Sequence, residues 1–323
     1  MKKLSLAIVG ASGLVGQSIL EILKEENLLE SFDITLFVSD KSAGKSINLN
    51  GKNLIYKLLD EKSAKSHFDI ALLSAGDDVS KQFAEHFATA GAYVIDNSNA
   101  FRRKEDVPLV VPEINASAIK KENKIIANPN CSTIELVIVL EKLKKLSKIE
   151  KVVVSTYQAV SGAGHEALSD LENGTRNQIS EGIKNNVVAH IGEFSAFGFC
   201  TEEDKMMFET NKILNENISL CATTVRVPVP NCHSESVYIK FAYPVLAQMV
   251  SDELKCEYIN VLSDVVSLPT QCSGTNVTSV CRIRNFSENE IAFFIVADNL
   301  RRGASYNAVK IMEYVIDNFI KNI

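Results

Sequence analysis

A glycine-rich turn after the first apolar run constrains the fold of this chain more than any other feature. Residues 4–9 form a strand-like apolar run, and the turn that follows has the sequence Gly10-Ala11-Ser12-Gly13-Leu14-Val15-Gly16. An amphipathic helical pattern begins there, so backbone N–H groups and the positive end of a helix dipole could hold a pyrophosphate. The spacing is G-x-x-G-x-x-G rather than G-x-G-x-x-G, which leaves a tight turn with glycine for packing as the alternative.

The first 130 residues alternate short β-rich runs with helical patterns. The candidate strands span residues 4–9, 34–38, 70–74, 93–96, 109–111 and 125–127. This alternation predicts a doubly wound, mostly parallel α/β sheet joined by crossover helices. We therefore predict a dinucleotide-binding domain over residues 1–130, completed by a C-terminal helix over residues 301–323.

The pattern changes after residue 131. A helical pattern over residues 132–146 precedes a strand near 152–157, and further β runs follow near 220–227, 236–242, 277–283 and 291–297. Strands with few helices between them favour a mixed or antiparallel sheet. Residues 131–300 are therefore predicted to form a second, α+β domain.

Composition narrows the classes of function. The 323 residues are 46% hydrophobic and 23% charged, which fits a globular protein of about two domains. The net charge of −6 gives no general electrostatic reason to bind nucleic acid. Seven cysteines without a C-x-x-C pair argue against disulfides and zinc. Glycines interrupt the first apolar run, which argues against a signal peptide, and no apolar stretch approaches the ~20 residues of a membrane span. We therefore expect a cytoplasmic protein that binds no metal and no membrane.

One cysteine stands at the start of a predicted helix. The segment around it has the sequence Asn128-Pro129-Asn130-Cys131-Ser132-Thr133. A thiol at a helix N-terminus lies near the positive end of the dipole, so we expect the pKa of Cys131 to fall and its thiolate to act as a nucleophile. A structural cysteine near a helix cap is the alternative.

An activated thiol needs a base, and His233 is the best placed of the five histidines. Two prolines precede it in RVPVPNCHSE, and they stiffen what we predict to be a turn between two strands. Arg226, seven residues earlier, could bind a substrate carboxylate through both guanidinium arms. A surface-turn histidine and a strand-surface ion pair are the alternatives.

Three more segments place polar groups after strands. Arg102 lies where ligands of parallel sheets collect and could bind an anion. Gln158 could orient a substrate, and the glycine-containing turn after it could approach a flat ring. In Ser39-Asp40-Lys41-Ser42 the hydroxyls and the lysine favour the 2′-phosphate of NADP, whereas Asp40 would suit the ribose of NAD. Solvated loops are the alternative for the segments of Arg102 and Gln158.

Together these segments resemble the aspartate-semialdehyde dehydrogenase family, essentially from end to end. In the order of that family, the matching segments are GASGLVG, SDKSAGK, SAGDDVSK, DNSNAFR, VVPEIN, NPNCST, STYQAVSGAG, TEEDKM with ETNKIL, RVPVPNCHSE and ADNLRRGASYNAVKI. Any one motif would be weak, but ten in order leave little room for chance. The resemblance implies a Rossmann-type NADP-binding domain and a second domain for catalysis and dimerisation, in a homodimer or homotetramer.

The resemblance also implies a role for each candidate residue. Cys131 would be the nucleophile, His233 the acid/base and Gln158 the residue that orients the acyl-enzyme. The implied substrate-binding residues are Arg226 and Glu202 for the amino-acid end, and Arg102, Asn130 and Lys205 for phosphate. The implied cofactor-binding residues are Gly10, Ser12, Gly13, Leu14, Val15, Gly16, Lys41, Ser42, Ser161, Gly162 and Asn299.

The implied reaction is the NADPH-dependent reductive dephosphorylation of L-aspartyl 4-phosphate to L-aspartate 4-semialdehyde, within lysine, threonine and methionine biosynthesis. Relative to the family pattern, Lys41 replaces a frequent arginine, Asp77-Asp78 a small pair, Glu135 a common glutamine and Cys232 a frequent glycine. Two rival functions stay open. One is another acyl-phosphate reductase, of the N-acetyl-glutamyl-phosphate or glyceraldehyde-phosphate type, and the other is a non-catalytic NADP(H)-binding protein whose cysteine senses redox state.

Overall fold

The computed structural model describes residues 3–263 and 265–320. The chain divides into two compact units. The first unit ends at Pro129 and resumes at Ala304, and the second unit spans Asn130–Gly303. Among the described residues, no helix is both long enough and apolar enough to cross a membrane.

The first unit is built on a six-stranded sheet in which every pair of neighbours is parallel. The strands of this unit are β1 Leu4–Val9, β2 Phe32–Val38, β3 Ser46–Leu49, β4 Lys52–Ile55, β5 Lys57–Leu58, β6 Ile70–Leu73, β7 Tyr93–Asp96 and β8 Ile125–Ala127. Their order in the sheet is β5-β2-β1-β6-β7-β8, and β3 and β4 form a separate antiparallel hairpin. The predicted parallel, doubly wound sheet is confirmed.

One predicted strand of this unit is wrong. Residues 109–111 contribute a single bridge, from Leu109 to Ala127. A helix begins at Pro112 directly afterwards. Proline has no N–H to donate to a neighbouring strand and suits the first turn of a helix, so the apolar run ends before it can form a ladder.

The helices of the first unit cover this sheet. They are α1 Leu14–Glu25, α2 Glu61–Ala64, α3 Asp77–Thr89 and α4 Pro112–Asn115, with 3₁₀ turns at Leu29–Ser31 and Ala116–Ala118. Helix α1 buries Ile19, Ile22 and Leu23 in the same core as Leu6 and Ile8 of β1. Burying one aliphatic side chain stabilises a fold by roughly 1.5–3 kcal/mol, so this face holds α1 against the sheet.

The connections of the sheet reverse direction at β1. This strand pairs with β2 on one side and with β6 on the other. In open α/β sheets, ligands bind beyond the carboxyl ends of the strands at such a switch point. The glycine turn of residues 10–16 follows β1, and Ser74-Ala75-Gly76 follows β6, so both stand at that position.

The second unit contains a mixed sheet. Its strands are β9 Ile149–Gln158, β10 Ser219–Arg226, β11 His233–Phe241, β12 Ile259–Leu262, β13 Thr278–Ser287 and β14 Glu290–Ala297. Their order is β10-β9-β11-β14-β13-β12, with β10–β9 and β12–β13 parallel and the other pairs antiparallel. The predicted mixed sheet is confirmed.

A buried helix lies at the centre of the second unit. The helices here are α5 Cys131–Leu143, α6 His165–Asn173, α7 Thr201–Leu214, α8 Ala247–Glu253 and α9 Pro269–Cys272, with a 3₁₀ turn at Val160–Ala163. From Ile134 to Leu140, no residue of α5 is more than 1% exposed. A helix that is buried all round belongs to the interior of a unit. The position of its first residue, Cys131, is therefore fixed by the packing of the whole helix.

The last helix returns the chain to the first unit. It consists of a wider, π-helical turn at Arg301–Ser305, α10 Tyr306–Val315 and a second such turn at Ile316–Ile320. Val309, Met312 and Ile316 pack into the core of the first unit. These side chains give the helix an apolar face that lies in that core, and residues 321–323 of the predicted helix lie outside the described residues.

Candidate active site

Asn130 caps the helix that carries the candidate nucleophile. Its side-chain oxygen accepts the N–H of Thr133 at 3.1 Å, as a helix N-cap does. The backbone N–H of Asn130 donates to Glu209 at 2.7 Å, and its side-chain amide donates to Glu202 at 2.7 Å. Three hydrogen bonds therefore fix the residue immediately before Cys131.

The candidate nucleophile and the candidate base are in contact. The sulfur of Cys131 lies 3.2 Å from Nε2 of His233, although the two residues are 102 positions apart. His233 is completely buried. The prediction of a turn at this residue is wrong, because His233 opens β11 and pairs with Ala297 of β14. A strand position holds the ring more firmly than a surface turn would.

The hydrogen bonds of His233 indicate where its proton lies. The N–H of Ala159 donates to Nδ1 at 3.0 Å. A nitrogen that accepts a hydrogen bond carries no proton, so the neutral ring is assigned its proton on Nε2, facing the sulfur. Burial and the charge of Arg226 lower the pKa of His233 to about 3, although the charge of Glu202 opposes the shift. The ring is therefore neutral at physiological pH.

The thiol of Cys131 does not have the lowered pKa that its helix position predicts. Burial raises its pKa, and the charge of Glu202, with that of Glu135 when it is ionised, raises it further, while Arg226 and the N–H of Ser132 act in the opposite direction. The expectation of a lowered pKa is wrong because desolvation outweighs the helix dipole. The resting pair is a thiol beside a neutral imidazole.

A group of charged side chains lies on the adjoining elements of the second unit. Arg226 ends β10, is 7% exposed, and donates through Nη1 to the carbonyl of Ala159 at 2.7 Å. Glu202 on α7 is 6% exposed and pairs with Lys205 at 3.1 Å. Burial alone would raise the pKa of Glu202, but Lys205, the Asn130 amide and Arg226 together lower it to about 2. The group therefore offers a buried guanidinium and a carboxylate.

The turn after β9 packs against the guanidinium of Arg226 and the ring of His233. A Cβ atom at Gly162 would lie 3.1 Å from Nη1 of Arg226 and 3.4 Å from Cε1 of His233. Glycine is thus the residue that lets this turn approach both groups. Gln158, at the end of β9, is 1% exposed and donates to the hydroxyl of Thr156 at 3.3 Å.

Asn299 joins three segments of the second unit. Its amide nitrogen donates to Ser161 Oγ at 3.0 Å, and its oxygen accepts the N–H of Cys232 at 2.9 Å. Cys232 has a φ of +72°, which is uncommon for a residue with a side chain. The segment before His233 is therefore tied to the turn that contains Ser161.

The glycine turn of the first unit has no room for side chains. A Cβ at Gly10 would lie 2.7 Å from the carbonyl oxygen of Ser74, and one at Gly16 would lie 2.3 Å from the carbonyl oxygen of Gly10. A Cβ at Gly13, which precedes α1, would lie 3.2 Å from that oxygen. Packing accounts for Gly10 and Gly16, and the same close approach forms a cradle of backbone at a helix N-terminus that fits a pyrophosphate.

The other candidates of the first unit differ in burial. Lys41 is exposed and Ser42 is half-buried after β2. Arg102 is 6% exposed and donates to the carbonyl oxygens of Asn128 at 2.9 Å and Asn97 at 2.8 Å. Asp77, which departs from the family pattern, accepts the N–H of Asn99 at 2.8 Å and so fixes the segment before Arg102.

Known proteins similar to the chain identify its family. A family model described as "Semialdehyde dehydrogenase, NAD binding domain" matches residues 5–122, and one described as "Semialdehyde dehydrogenase, dimerisation domain" matches residues 140–302. The chain is 40% identical to the aspartate-semialdehyde dehydrogenase of Aquifex aeolicus, with 96% of this chain and 97% of that protein covered. The chain belongs to the aspartate-semialdehyde dehydrogenase family. It is accordingly an oxidoreductase with a domain that binds NAD(P).

Further relatives agree with this assignment. The aspartate-semialdehyde dehydrogenase of Bacillus subtilis is 38% identical, with 96% of each chain covered. The crystal structure of aspartate-semialdehyde dehydrogenase II from Vibrio cholerae, complexed with ASA, matches with a TM-score of 0.92 at 36% identity, over 99% of this chain and 100% of that one. The resemblance stated from the motifs is confirmed, and so is the fold class.

Two residues with positioning contacts were missed at the sequence level. Ala159 holds His233 through its N–H and Arg226 through its carbonyl. Glu209 accepts the N–H of Asn130 and is 1% exposed. The signal for Glu209 was its place in ETNKIL, one of the matching segments, whereas an alanine that acts through its backbone leaves no signal in its side chain.

Proposed function

We propose that the chain reduces L-aspartyl 4-phosphate to L-aspartate 4-semialdehyde, with release of phosphate, through a thioester on Cys131 and with NADPH as reductant. The observation that carries the proposal is the 3.2 Å contact between Cys131 Sγ and His233 Nε2 at the start of a buried helix. Covalent catalysis suits this reaction because a thioester accepts hydride more readily than a carboxylate does.

In the first half-reaction the sulfur of Cys131 attacks the acyl carbon. A C–S bond forms, and the bond between the acyl carbon and the phosphate oxygen breaks. The N–H of Ser132 supports negative charge on the sulfur. Since the pKa of the thiol is raised in the free protein, the thiol proton leaves as the C–S bond forms rather than beforehand.

His233 receives and returns this proton. In the resting tautomer Nε2–H donates toward the sulfur, because Nδ1 is occupied by the N–H of Ala159. To accept the thiol proton at Nε2, the ring must carry its own proton on Nδ1, so the contact with Ala159 must open. In the second half-reaction the carbonyl of the tetrahedral adduct on Cys131 re-forms as the C–S bond breaks, and the ring returns its proton to the departing sulfur.

The amino-acid end of the substrate is assigned to Arg226 and Glu202. A guanidinium that is 7% exposed can bind the α-carboxylate with two parallel hydrogen bonds. Glu202, with a pKa near 2, is ionised and can accept the α-ammonium. Gln158, buried at the end of β9, would orient the carbonyl of the thioester.

The phosphate of the substrate is assigned to Arg102, Asn130 and Lys205. Lys205 adds a positive charge on α7, next to Glu202. Asn130 caps α5, whose N-terminus favours an anion. Arg102 is held by two backbone carbonyls, which fixes its guanidinium.

NADP is the proposed cofactor. Bound NADPH would supply the hydride that reduces the thioester carbon. The backbone of residues 10–16 would hold the pyrophosphate, with Ser12, Leu14 and Val15 at the start of α1. Lys41 and Ser42 would bind the 2′-phosphate, and Ser161, Gly162 and Asn299 are the further residues assigned to the cofactor.

We further propose a homodimer formed through the outer face of the second sheet, on which a homotetramer could be built. Val153 and Tyr157 on β9 are 38% and 39% exposed. Cys221 lies beside Val153 on β10, and the ring of Phe294 lies 6.1 Å from that of Tyr157. An exposed apolar sheet face within a match to a dimerisation domain fits a second copy of the chain. All seven cysteines are free, which fits the cytoplasm.

An assay of the reverse reaction tests the function. We expect L-aspartate 4-semialdehyde to reduce NADP, followed by absorbance, only when phosphate is present. Cys131→Ala should lower kcat by roughly 10⁴-fold or more, because the covalent route is lost. Cys256→Ala, which removes a free thiol of the same intermediate exposure as Cys131, is the matched control and should keep full activity. Equal activity of the parent and Cys131→Ala would refute the proposal.

The same assay separates the rival functions. N-acetyl-glutamate semialdehyde and glyceraldehyde 3-phosphate should give at most about a thousandth of the kcat/KM, since Glu202 and Arg226 offer an unblocked amino acid its partners. Turnover that favours either substrate would assign the chain to another acyl-phosphate reductase. No turnover with any substrate, together with NADP binding, would favour a redox-sensing protein.

A further inference from the structure

Two buried glutamates behind the reacting pair take no part in the mechanism above. Glu135 lies on α5, four residues after Cys131, and Glu235 lies on β11, two residues after His233. Both are 0% exposed. Among the described residues, none donates a hydrogen bond to any of their four carboxyl oxygens. Burying an ionised carboxylate without a donor is costly, so these two groups need an explanation.

Gly303 brings the carboxyl of Glu135 close to the nucleophile. A Cβ at Gly303 would lie 2.8 Å from Cβ of Cys131 and 3.1 Å from Oε1 of Glu135. The glutamate oxygen and the Cβ of Cys131 therefore border the same small space, the one that a side chain at Gly303 would fill. Because Glu135 is fully buried, a charge on it would act on the sulfur with little screening by solvent.

The charged groups around Glu135 do not balance if both glutamates are ionised. The groups that face it are Glu235 from β11, Asp298 after β14, Cys272 from α9 and Arg302 from the last helix. Asp298 accepts four N–H groups, from Asn231, Gly274, Leu300 and Arg301, as a carboxylate does. Arg302 supplies one positive charge and Asp298 one negative charge, which leaves none to neutralise Glu135 or Glu235.

We propose that Glu135 supports Cys131 as a neutral carboxylic acid, with Glu235 as its equally buried and neutral partner. Glu135 is thus a positioning residue, since it acts on substrate only through the sulfur. The proposal rests on the function proposed for Cys131 as the nucleophile.

The electrostatic surroundings of the two carboxyls agree with this geometry. Burial raises the pKa of Glu135 well above its usual value, Glu235 and Asp298 raise it further, and Arg302 opposes the shift. Burial also raises the pKa of Glu235 well above its usual value. A protonated Glu135 adds no negative charge beside the sulfur as the thiolate forms, whereas an ionised Glu135 raises the pKa of Cys131. The thiolate therefore forms most readily while Glu135 keeps its proton.

Infrared spectroscopy of the full chain tests the protonation directly. At neutral pH the parent should show the carbonyl stretch of a protonated carboxylic acid, and Glu135→Gln and Glu235→Gln should each weaken it. Glu203→Gln is the matched control. Glu203 is also buried, at 7% exposed, but its oxygens accept the N–H groups of Cys200 and Thr224, so this variant should leave the band unchanged.

The pH dependence of alkylation tests the effect on Cys131. Iodoacetamide is added across neutral and alkaline pH, and the peptide that contains Cys131 is followed by mass spectrometry. At neutral pH the parent and Glu135→Gln should react within about twofold of each other. Where the carbonyl band of the parent disappears, Glu135→Gln should react up to about tenfold faster, the ratio that one pKa unit at the thiol gives. Glu235→Gln keeps the test possible if Glu135→Gln does not fold. The charge of Glu235 raises the pKa of Glu135, so in this variant Glu135 should ionise at a lower pH than in the parent, and Cys131 should react more slowly there.

Two results would overturn the proposal. One is the absence of the carbonyl band from the parent at neutral pH. The other is superimposable alkylation profiles for the parent and both glutamine variants. Neither measurement requires turnover, so a chain that meets both expectations but reduces no NADP with the semialdehyde would count against the proposed function instead.

Discussion

At the scale of single residues, Ala159 organises the site through its backbone. Its N–H fixes the orientation of His233, and its carbonyl accepts Arg226. The imidazole that faces the sulfur and the guanidinium assigned to the substrate are therefore positioned by one peptide segment. A small shift of this segment would move both groups together.

Replacement of His233 by alanine should slow the enzyme without abolishing turnover. General acid–base help from one side chain is typically worth 10² to 10⁴ in rate, so we expect kcat for semialdehyde oxidation to fall by about that factor. His190, which is partly exposed on a loop of the same unit, offers a matched control, and His190→Ala should keep kcat within about twofold of the parent. A fall as large as that of Cys131→Ala would show instead that His233 is needed to form the thioester at all.

His233 also makes the stability of the second unit sensitive to acid. Its pKa is about 3 in the folded chain, below the usual 6.5. As the pH falls, this histidine is protonated in the unfolded chain before it is protonated in the folded chain. The free energy of unfolding therefore decreases below a pH of about 6.5, by about 2 kcal/mol at a pH of about 5. Glu202, with a pKa near 2, acts in the same direction below about 4.5.

Thermal unfolding of the parent and His233→Gln checks this expectation. The parent should lose more of its Tm between a pH of about 7 and about 5 than the variant does, because glutamine does not titrate in this range. Equal losses for both chains would mean that His233 is protonated while the protein is folded.

At the scale of elements, buried parallel strands were the easiest to predict. The limits of β1, β7 and β8 follow from short apolar runs bounded by turn residues, and the structure places these strands at the predicted residues. The hairpin of β3 and β4 was not predicted because its strands are short and half-exposed. Its signal is the pair Asn50-Gly51, both with positive φ, which is typical of a two-residue hairpin turn.

The site was predictable only in part, for a physical reason. The cap position of Asn130 and the helix start at Cys131 are local features, so the sequence indicates them. The contact of Cys131 with His233 depends on the pairing of β11 with β9 and β14, which no local pattern specifies. Glu135 and Glu235 would be placed on a surface by their residue type, and their burial follows from the packing of α5.

The glycine turn gives a prediction at the scale of one helix. Alanine favours a helix over glycine by about 1 kcal/mol, so Gly16→Ala would stabilise α1 if there were space. A Cβ there lies 2.3 Å from the oxygen of Gly10 and 2.7 Å from Cα of Ala11. We therefore expect Gly16→Ala to lower the free energy of unfolding by roughly 1–3 kcal/mol and to weaken NADP binding at least about tenfold.

Gly13→Ala is the control for this prediction. The nearest atom to its Cβ is 3.2 Å away, so a smaller loss is expected in both measurements. Denaturant unfolding and a fluorescence titration with NADPH measure the two effects. A Gly16→Ala chain that is more stable than the parent would show that the turn can move aside.

At the scale of the whole molecule, the dimer proposed through the outer face of the second sheet gives a prediction about assembly. Tyr157 lies on this face, beside Phe294 on the neighbouring part of the sheet. In a dimer with two-fold symmetry, a charge at the centre of the interface meets its own copy or is buried without a partner. Tyr157→Lys should therefore halve the mass measured by light scattering at micromolar concentration.

Phe197→Lys separates this effect from a general loss of exposed aromatic surface. Phe197 is 90% exposed in the same unit but lies in the loop before α7, outside the sheet. This variant should keep the mass of the parent. If Tyr157→Lys keeps that mass while Phe197→Lys loses it, the loop rather than the sheet forms the interface.

Since β9 ends at Gln158, next to Ala159, a dimer through the sheet would also hold the strand that positions the ring of His233. The Tyr157→Lys monomer is therefore expected to lose kcat as well as mass.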